Sequence, residues 1–149
     1  MKREKEPAEN NPRSFESICS EHGLSITPQR VAIYKELVSS SAHPSAVTIF
    51  NKIRRYYSNI SLDTVNRTLL TFHQLGLAKI VESSGDPKRF DPNLDPHHHF
   101  RCIACGDIFD FRNDAYDDLK PPPKIEKKFV ITGQIVHLKG YCDRCKSHR

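Results

Sequence analysis

Two cysteine pairs, Cys102-x-x-Cys105 and Cys142-x-x-Cys145, are the residues whose type and spacing carry the strongest chemistry. Each CxxC presents two sulfurs from one tight turn. Two such turns supply the four thiolates of a tetrahedral structural zinc (Zn2+) site, which leaves no open position for a substrate. The same residues admit two other readings: a redox dithiol pair, which usually needs a CxxC at a helix N-terminus, or two disulfides, which a reducing compartment disfavours. The fifth cysteine, Cys19, lies on an apolar helical face and reads as a buried thiol. A second constellation is His97-His98-His99, preceded by Asp91 and followed by Asp110. Side chains alternate along a strand, so His97 and His99 share one face and His98 takes the other. With the two aspartates they form a nitrogen and oxygen donor set suited to iron, manganese or zinc; the bland reading is a surface polyhistidine run.

The elements that must position these groups follow from caps and periodicity. Phe15, Ile18 and Cys19 mark a short helix from about Ser14 that Gly23 closes. Thr27-Pro28 is an N-cap followed by proline at the first helical position, ahead of Val31, Ile33, Tyr34, Leu37 and Val38. Ser45 caps a third helix running to Tyr57, and Ser61 opens a fourth with Val65, Leu69, Phe72 and Leu75 as its stripe. Strands at Leu77–Val81 and Lys88–Asp91 flank a turn, Ser83-Ser84-Gly85-Asp86-Pro87. Helices followed by a hairpin make a winged helix-turn-helix whose fourth helix enters the major groove, with a plain helical bundle as the alternative. After Pro92 and Pro96 the chain reads as strands at His97–Ile103, Asp107–Phe111 and Lys128–Gly140. A short helix capped by Asn113 or Asp114 lies between and ends at Pro121-Pro122-Pro123.

The fold class is therefore α+β: a flexible tail over 1–13, a winged helix suited to DNA over 14–91, a hinge at 92–96 and, over 97–149, a small α/β unit expected to serve metal binding, dimerisation or both. Hydrophobic residues make up 37 % of the 149 positions, with no tryptophan, so each core is small and metal or dimerisation must add stability. The whole net charge of +5 resides in 24–81, where Arg30, Lys35, Lys52, Arg54, Arg55, Arg67 and Lys79 face only Glu36 and Asp63. Such a segment is either a solvated face or a polyanion-binding one. Arg30, Ser61, Thr64, Asn66, Arg67 and Thr68 are the groups suited to base edges and phosphates. No apolar run is long enough to span a bilayer and no signal peptide is evident, so a cytoplasmic protein is expected.

Several motifs stand in one order: Ile26-Thr27-Pro28-Gln29-Arg30, Ala42-His43-Pro44, Ser61-x-x-Thr64-Val65, Gly76-Leu77, Arg89-Phe90-Asp91, His97-x-His99 and both CxxC pairs. In order and spacing they resemble the ferric uptake regulator family over about residues 14–146. The resemblance implies a homodimeric, metal-dependent repressor that binds an inverted-repeat operator in double-stranded DNA. It assigns structural zinc to Cys102, Cys105, Cys142 and Cys145, and a regulatory Fe2+ or Mn2+ to His43, Asp91, His97, His99 and Asp110. Aspartate at 91 and 110 resembles the peroxide-responsive branch, in which iron promotes oxidation of ligand histidines; His43 and His97 match those. The alternative within the family is an iron- or manganese-responsive repressor without peroxide sensing. A metallohydrolase is the remote alternative outside it, and lacks an evident general base.

The chain departs from the family pattern at two places. Pro96, His98 and Gln134 stand where ligands of a further metal site are frequent, so one regulatory metal per subunit is expected. Asn66 replaces a tyrosine in the recognition helix, exchanging apolar contact with a thymine methyl for a pair of hydrogen bonds to adenine.

Overall fold

The computed structural model describes residues 14–82, 85 and 87–148. The expected tail over 1–13, and Ser83, Ser84 and Asp86 of the expected turn, lie outside the described residues. The chain divides into two compact units, one up to Leu94 and one from Asp95.

The first unit holds four helices, α1 (Phe15–Glu21), α2 (Pro28–Ser39), α3 (Ala46–Ile53) and α4 (Leu62–Gln74), followed by β1 (Lys79–Ile80) and β2 (Phe90–Asp91). Each helix begins where a short hydroxyl side chain satisfies an orphan N–H: Ser14, Thr27, Ser45 and Ser61 accept from the amides of Ser17, Arg30, Thr48 and Thr64. Each such cap contributes about 1 kcal/mol. Helix α3 stops at Ile53, short of the expected Tyr57, and the chain turns there, with the amides of both Tyr56 and Tyr57 donating to Ile53 O at 2.9 Å. After α4, Gly76 takes φ +76, a left-handed bend open to glycine without penalty.

Apolar stripes from α1 to α4 meet in one core that includes Ile33, Leu37, Ile49, Ile53, Val65, Leu69, Phe72 and Phe90. Its aromatic centre sets Phe15 parallel to Tyr34, ring centroids 4.4 Å apart, with Phe72 edge-on to both. Strands β1 and β2 pair antiparallel, Lys79 opposite Asp91 and Ile80 opposite Phe90, which completes the winged-helix arrangement. No helix among the described residues is long and apolar enough to cross a membrane.

The second unit is a three-stranded sheet in the order β4-β3-β5. Strand β3 (His98–Cys102) pairs antiparallel with β4 (Ile108–Phe111) and parallel with β5 (His137–Gly140). Two one-turn helices, α5 (Asp114–Asp117, capped by Asn113) and α6 (Pro123–Glu126), fill the connection. Two expectations are corrected here. The proline run opens α6, with Pro123 in its first turn, rather than closing α5. The strand expected over 128–140 forms only from His137, because β3 provides a partner no further: Pro96 has no N–H for a ladder, and the amide of Val136 donates to His98 Nδ1. The buried apolar side chains of this unit are Cys102, Ile108 and Cys142, while Phe129 is 61 % exposed and Val130 92 %.

Candidate functional site

The four sulfurs converge from two knuckles. In the first, Gly106 at φ +75 lets its amide fold back to Cys102 O at 2.9 Å. In the second, the amides of Cys145 and Lys146 donate to Cys142 O. Cys105 Sγ lies 3.8 Å from Cys142 Sγ, and all four sulfurs lie within 4.8 Å of one another. A zinc ion with Zn–S bonds of about 2.3 Å needs a tetrahedral edge of about 3.8 Å, so the donor set fits zinc. The five cysteines are free and neither CxxC opens an α-helix, an arrangement that favours four thiolates around one ion over the disulfide and redox readings. Backbone amides of Cys105 and Cys142 pull the Cys102 thiol down to about 6, whereas its contact with Cys142 and burial push Cys145 up to about 12. Cys19 is buried in the first unit's core, as expected.

The strand alternation places the three histidines as expected. His97 Nε2 and His99 Nε2 lie 2.9 Å apart, and Asp110 Oδ1 stands 3.4 Å from the first and 3.2 Å from the second. Both rings are buried. His97 Nδ1 lies 2.6 Å from Asp95 O. A carbonyl only accepts, so Nδ1 carries the proton and the neutral ring presents its lone pair from Nε2, the tautomer a metal ligand requires. His98 points the other way: its Nδ1 accepts from the Val136 amide and its Nε2 donates to Asp117 Oδ1 at 2.9 Å. Gln134 donates its amide to Tyr116 O and Asp117 O, so His98 ties α5 to β3 and Gln134 ties it to the segment before β5.

In the first unit, His43 and Asp91 form a pair. His43 Nε2 lies 3.4 Å from Asp91 Oδ2, both side chains are buried, and Asp91 Oδ1 accepts from the Asn93 amide at 2.9 Å. The expected regulatory ligands thus occur as two partial sets, His43 with Asp91 and His97 with His99 and Asp110, each of imidazole nitrogen and carboxylate oxygen. Both suit iron or manganese better than the thiophilic metals.

Along α4, Ser61 Oγ and Thr64 Oγ1 are 2.9 Å apart at the exposed N-terminus, Asn66 is half-buried, and exposed Arg67 pairs with Asp63 at 2.9 Å. Arg30 on α2 donates to Ser25 O at 2.6 Å. Thr68, expected among the DNA-facing groups, is buried. It sits in the same stripe as Val65, Leu69 and Phe72, and its hydroxyl donates to Thr64 O at 2.8 Å. The sequence reading missed the partners that orient the ligands. Asp95 acts through its backbone carbonyl, which has no residue signature, and Arg89 stood in a motif without a role.

The profile of the ferric uptake regulator family matches residues 21–138. The chain is 35 % identical over 133 residues to the peroxide-responsive repressor PerR of Staphylococcus epidermidis, covering 88 % of this chain and 89 % of that one. Among solved structures, the ferric uptake regulator of Helicobacter pylori superposes with a TM-score of 0.70 at 22 % identity, covering 90 % of this chain and 95 % of that one. The regulator of Francisella tularensis, solved with iron, gives 0.72 at 21 % identity over 83 % and 96 %. These two likenesses establish the fold. Sequence and fold together show that the chain belongs to the ferric uptake regulator family, as a metal-dependent transcriptional repressor and not an enzyme.

Proposed function

We propose that the protein is a peroxide-responsive repressor in which His43, Asp91, His97, His99 and Asp110 hold one regulatory Fe2+ or Mn2+, while Cys102, Cys105, Cys142 and Cys145 hold a structural Zn2+. The observation that carries the reading is the pair of incomplete half-sites. Two donors come from one unit and three from the other, and neither number satisfies an octahedral ion, whereas five leave one position for solvent or peroxide. The donor set is all imidazole and aspartate, and a relative 35 % identical along most of the chain is a peroxide-responsive repressor.

Regulators of this family bind operator DNA, typically as dimers. Here the operator surface is the N-terminal half of α4, with Ser61, Thr64, Asn66 and Arg67, and Arg30 beside it on α2; phosphate contacts set register and Asn66 reads a base edge. A second copy covers apolar side chains such as Phe129 and Val130, and places two recognition helices about one helical turn apart on an inverted repeat. A metal that favours the operator-binding arrangement by about 5.5 kcal/mol shifts its population from about 1 % to about 99 %.

When bound, ferrous iron would promote the reaction of hydrogen peroxide with a ligand imidazole, in which the ring gives up two electrons, one peroxide oxygen adds to ring carbon and the other leaves as water; manganese would support operator binding without that reaction. Addition of oxygen to His43 or His97 removes a donor, and residues 43 and 91 are no longer tied to 97, 99 and 110. The operator is then released. The test loads purified protein with Fe2+, adds micromolar peroxide, and follows peptide mass together with operator affinity. A gain of one oxygen on the His43 or His97 peptide with loss of affinity is expected. Unchanged mass and affinity would leave an iron- or manganese-responsive repressor that does not sense peroxide.

A further inference from the structure

His43 is the one residue other than glycine in the left-handed region among the described residues, at φ +50. Nothing local selects that conformation. Histidine visits it more readily than β-branched residues do, but the following Pro44 ordinarily drives the preceding residue to extended backbone. The conformation must be imposed by contacts from elsewhere in the chain.

Those contacts come from the strand that also carries Asp91. Arg89 Nε donates to His43 O, and Arg89 Nη2 donates to Ala42 O at 2.6 Å, so one planar guanidinium grips two successive carbonyls. Next to this grip the backbone of Arg89 bridges antiparallel to Ser45, and the Phe90 amide donates to Pro44 O at 3.0 Å. The loop 42–45 is thereby stitched along β2. Two residues beyond Arg89 the strand presents Asp91, whose Oδ2 meets His43 Nε2. A single strand supplies both the clamp on the His43 backbone and the carboxylate that its imidazole faces.

We propose that Arg89 is the positioning residue of the regulatory metal's first half-site: it holds His43 in its left-handed conformation and so aims Nε2 at the position Asp91 shares. This rests on the assignment of His43 and Asp91 as metal ligands. Arginine is required for its geometry, because Nε–H and Nη2–H leave one rigid plane at the spacing of two carbonyls, which a lysine ammonium on a flexible stem does not reproduce.

The experiment uses the full-length zinc-loaded protein and Co2+ as probe, since its visible absorption reports coordination number. Five proteins are compared: the parent, His43→Ala, Arg89→Met, the double variant, and Arg89→Lys as the conservative exchange. Arg89→Met is expected to weaken Co2+ binding about tenfold, within the range for partners that orient a ligand. Its spectrum should move toward that of His43→Ala, Arg89→Lys should fall between it and the parent, and the double variant should bind no more weakly than His43→Ala. Parental affinity and spectrum in both Arg89 variants, beside an altered His43→Ala, would overturn the positioning role and leave the half-site standing. An additive loss in the double variant would overturn it equally. A His43→Ala protein that binds Co2+ as the parent does would instead remove the half-site itself. Should Arg89→Met not fold, Arg89→Lys carries the same comparison, the parental spectrum again being the overturning result.

Discussion

The Nε2 atoms of the buried His97 and His99 lie 2.9 Å apart, with Asp110 Oδ1 within 3.4 Å of both. Two imidazole nitrogens at that separation match adjacent corners of an octahedron, for which bonds of about 2.1 Å give an edge of about 3.0 Å. Replacing His99 by alanine removes one donor from the three-donor half-site. Calorimetric titration with Mn2+ should show affinity lowered by tenfold or more; a value within twofold of the parent would count against the shared ion.

His98 provides the opposite case on the other face of the same strand. Its two ring nitrogens are committed to Asp117 and to the Val136 amide. His98→Leu should leave Mn2+ affinity within about twofold while lowering stability by about 1–3 kcal/mol, the loss of two hydrogen bonds, one of them to a carboxylate. Denaturant melts and metal titration on one sample separate the two effects. Loss of metal affinity at constant stability would contradict the division of labour along β3.

Zinc should be a condition of folding for the second unit. The apolar side chains it buries are Ile108 and two of the four cysteines proposed to hold zinc, Cys102 and Cys142. Structural zinc contributes about 10–16 kcal/mol to small zinc-dependent folds, well above what so small a core supplies. Cys142→Ser should therefore lose zinc, measured by atomic absorption, and abolish the part of the calorimetric transition due to residues 95–148. The first unit has its own aromatic core and should still melt cooperatively. Retention of both transitions in the zinc-free protein would refute this.

Asn66 should alter operator choice. A bidentate pair from its amide to adenine N6 and N7 discriminates by about 1–3 kcal/mol, a preference that a tyrosine at the same place does not express. Selection from random DNA should return different preferred sequences for the parent and for Asn66→Tyr, with changes confined to one position of each half-site. Identical sequences from both would show that Asn66 does not read a base.

Within the first core, Phe72 is fully buried and edge-on to Phe15 and Tyr34. Phe72→Ala should cost about 3–5 kcal/mol in denaturant unfolding, the sum of lost transfer energy and the cavity left behind. Because the site residues lie elsewhere, zinc content should be unchanged.

Much of this was readable from residue order. The hydroxyl caps at Ser14, Thr27, Ser45 and Ser61 announce four helices, because a cap and the amide it serves are three residues apart. Alternation separates His97 and His99 from His98, and the paired CxxC spacing declares a four-sulfur cluster. Thr68 was readable too: it falls three residues after Val65 and four before Phe72, inside the buried stripe. Other features depended on residues far apart in the chain. Whether 128–136 becomes a strand depends on a neighbouring strand with free amides and carbonyls, and Pro96 and His98 withhold them. The left-handed turn at His43 opposes its local preference before Pro44 and exists because Arg89, forty-six positions on, grips its carbonyl. Donor types, caps and periodicity are local properties and were determined by sequence alone. The aim of His97 and of His43 was decided by tertiary structure, because the groups that orient them are a backbone carbonyl at Asp95 and the guanidinium of Arg89, just before β2.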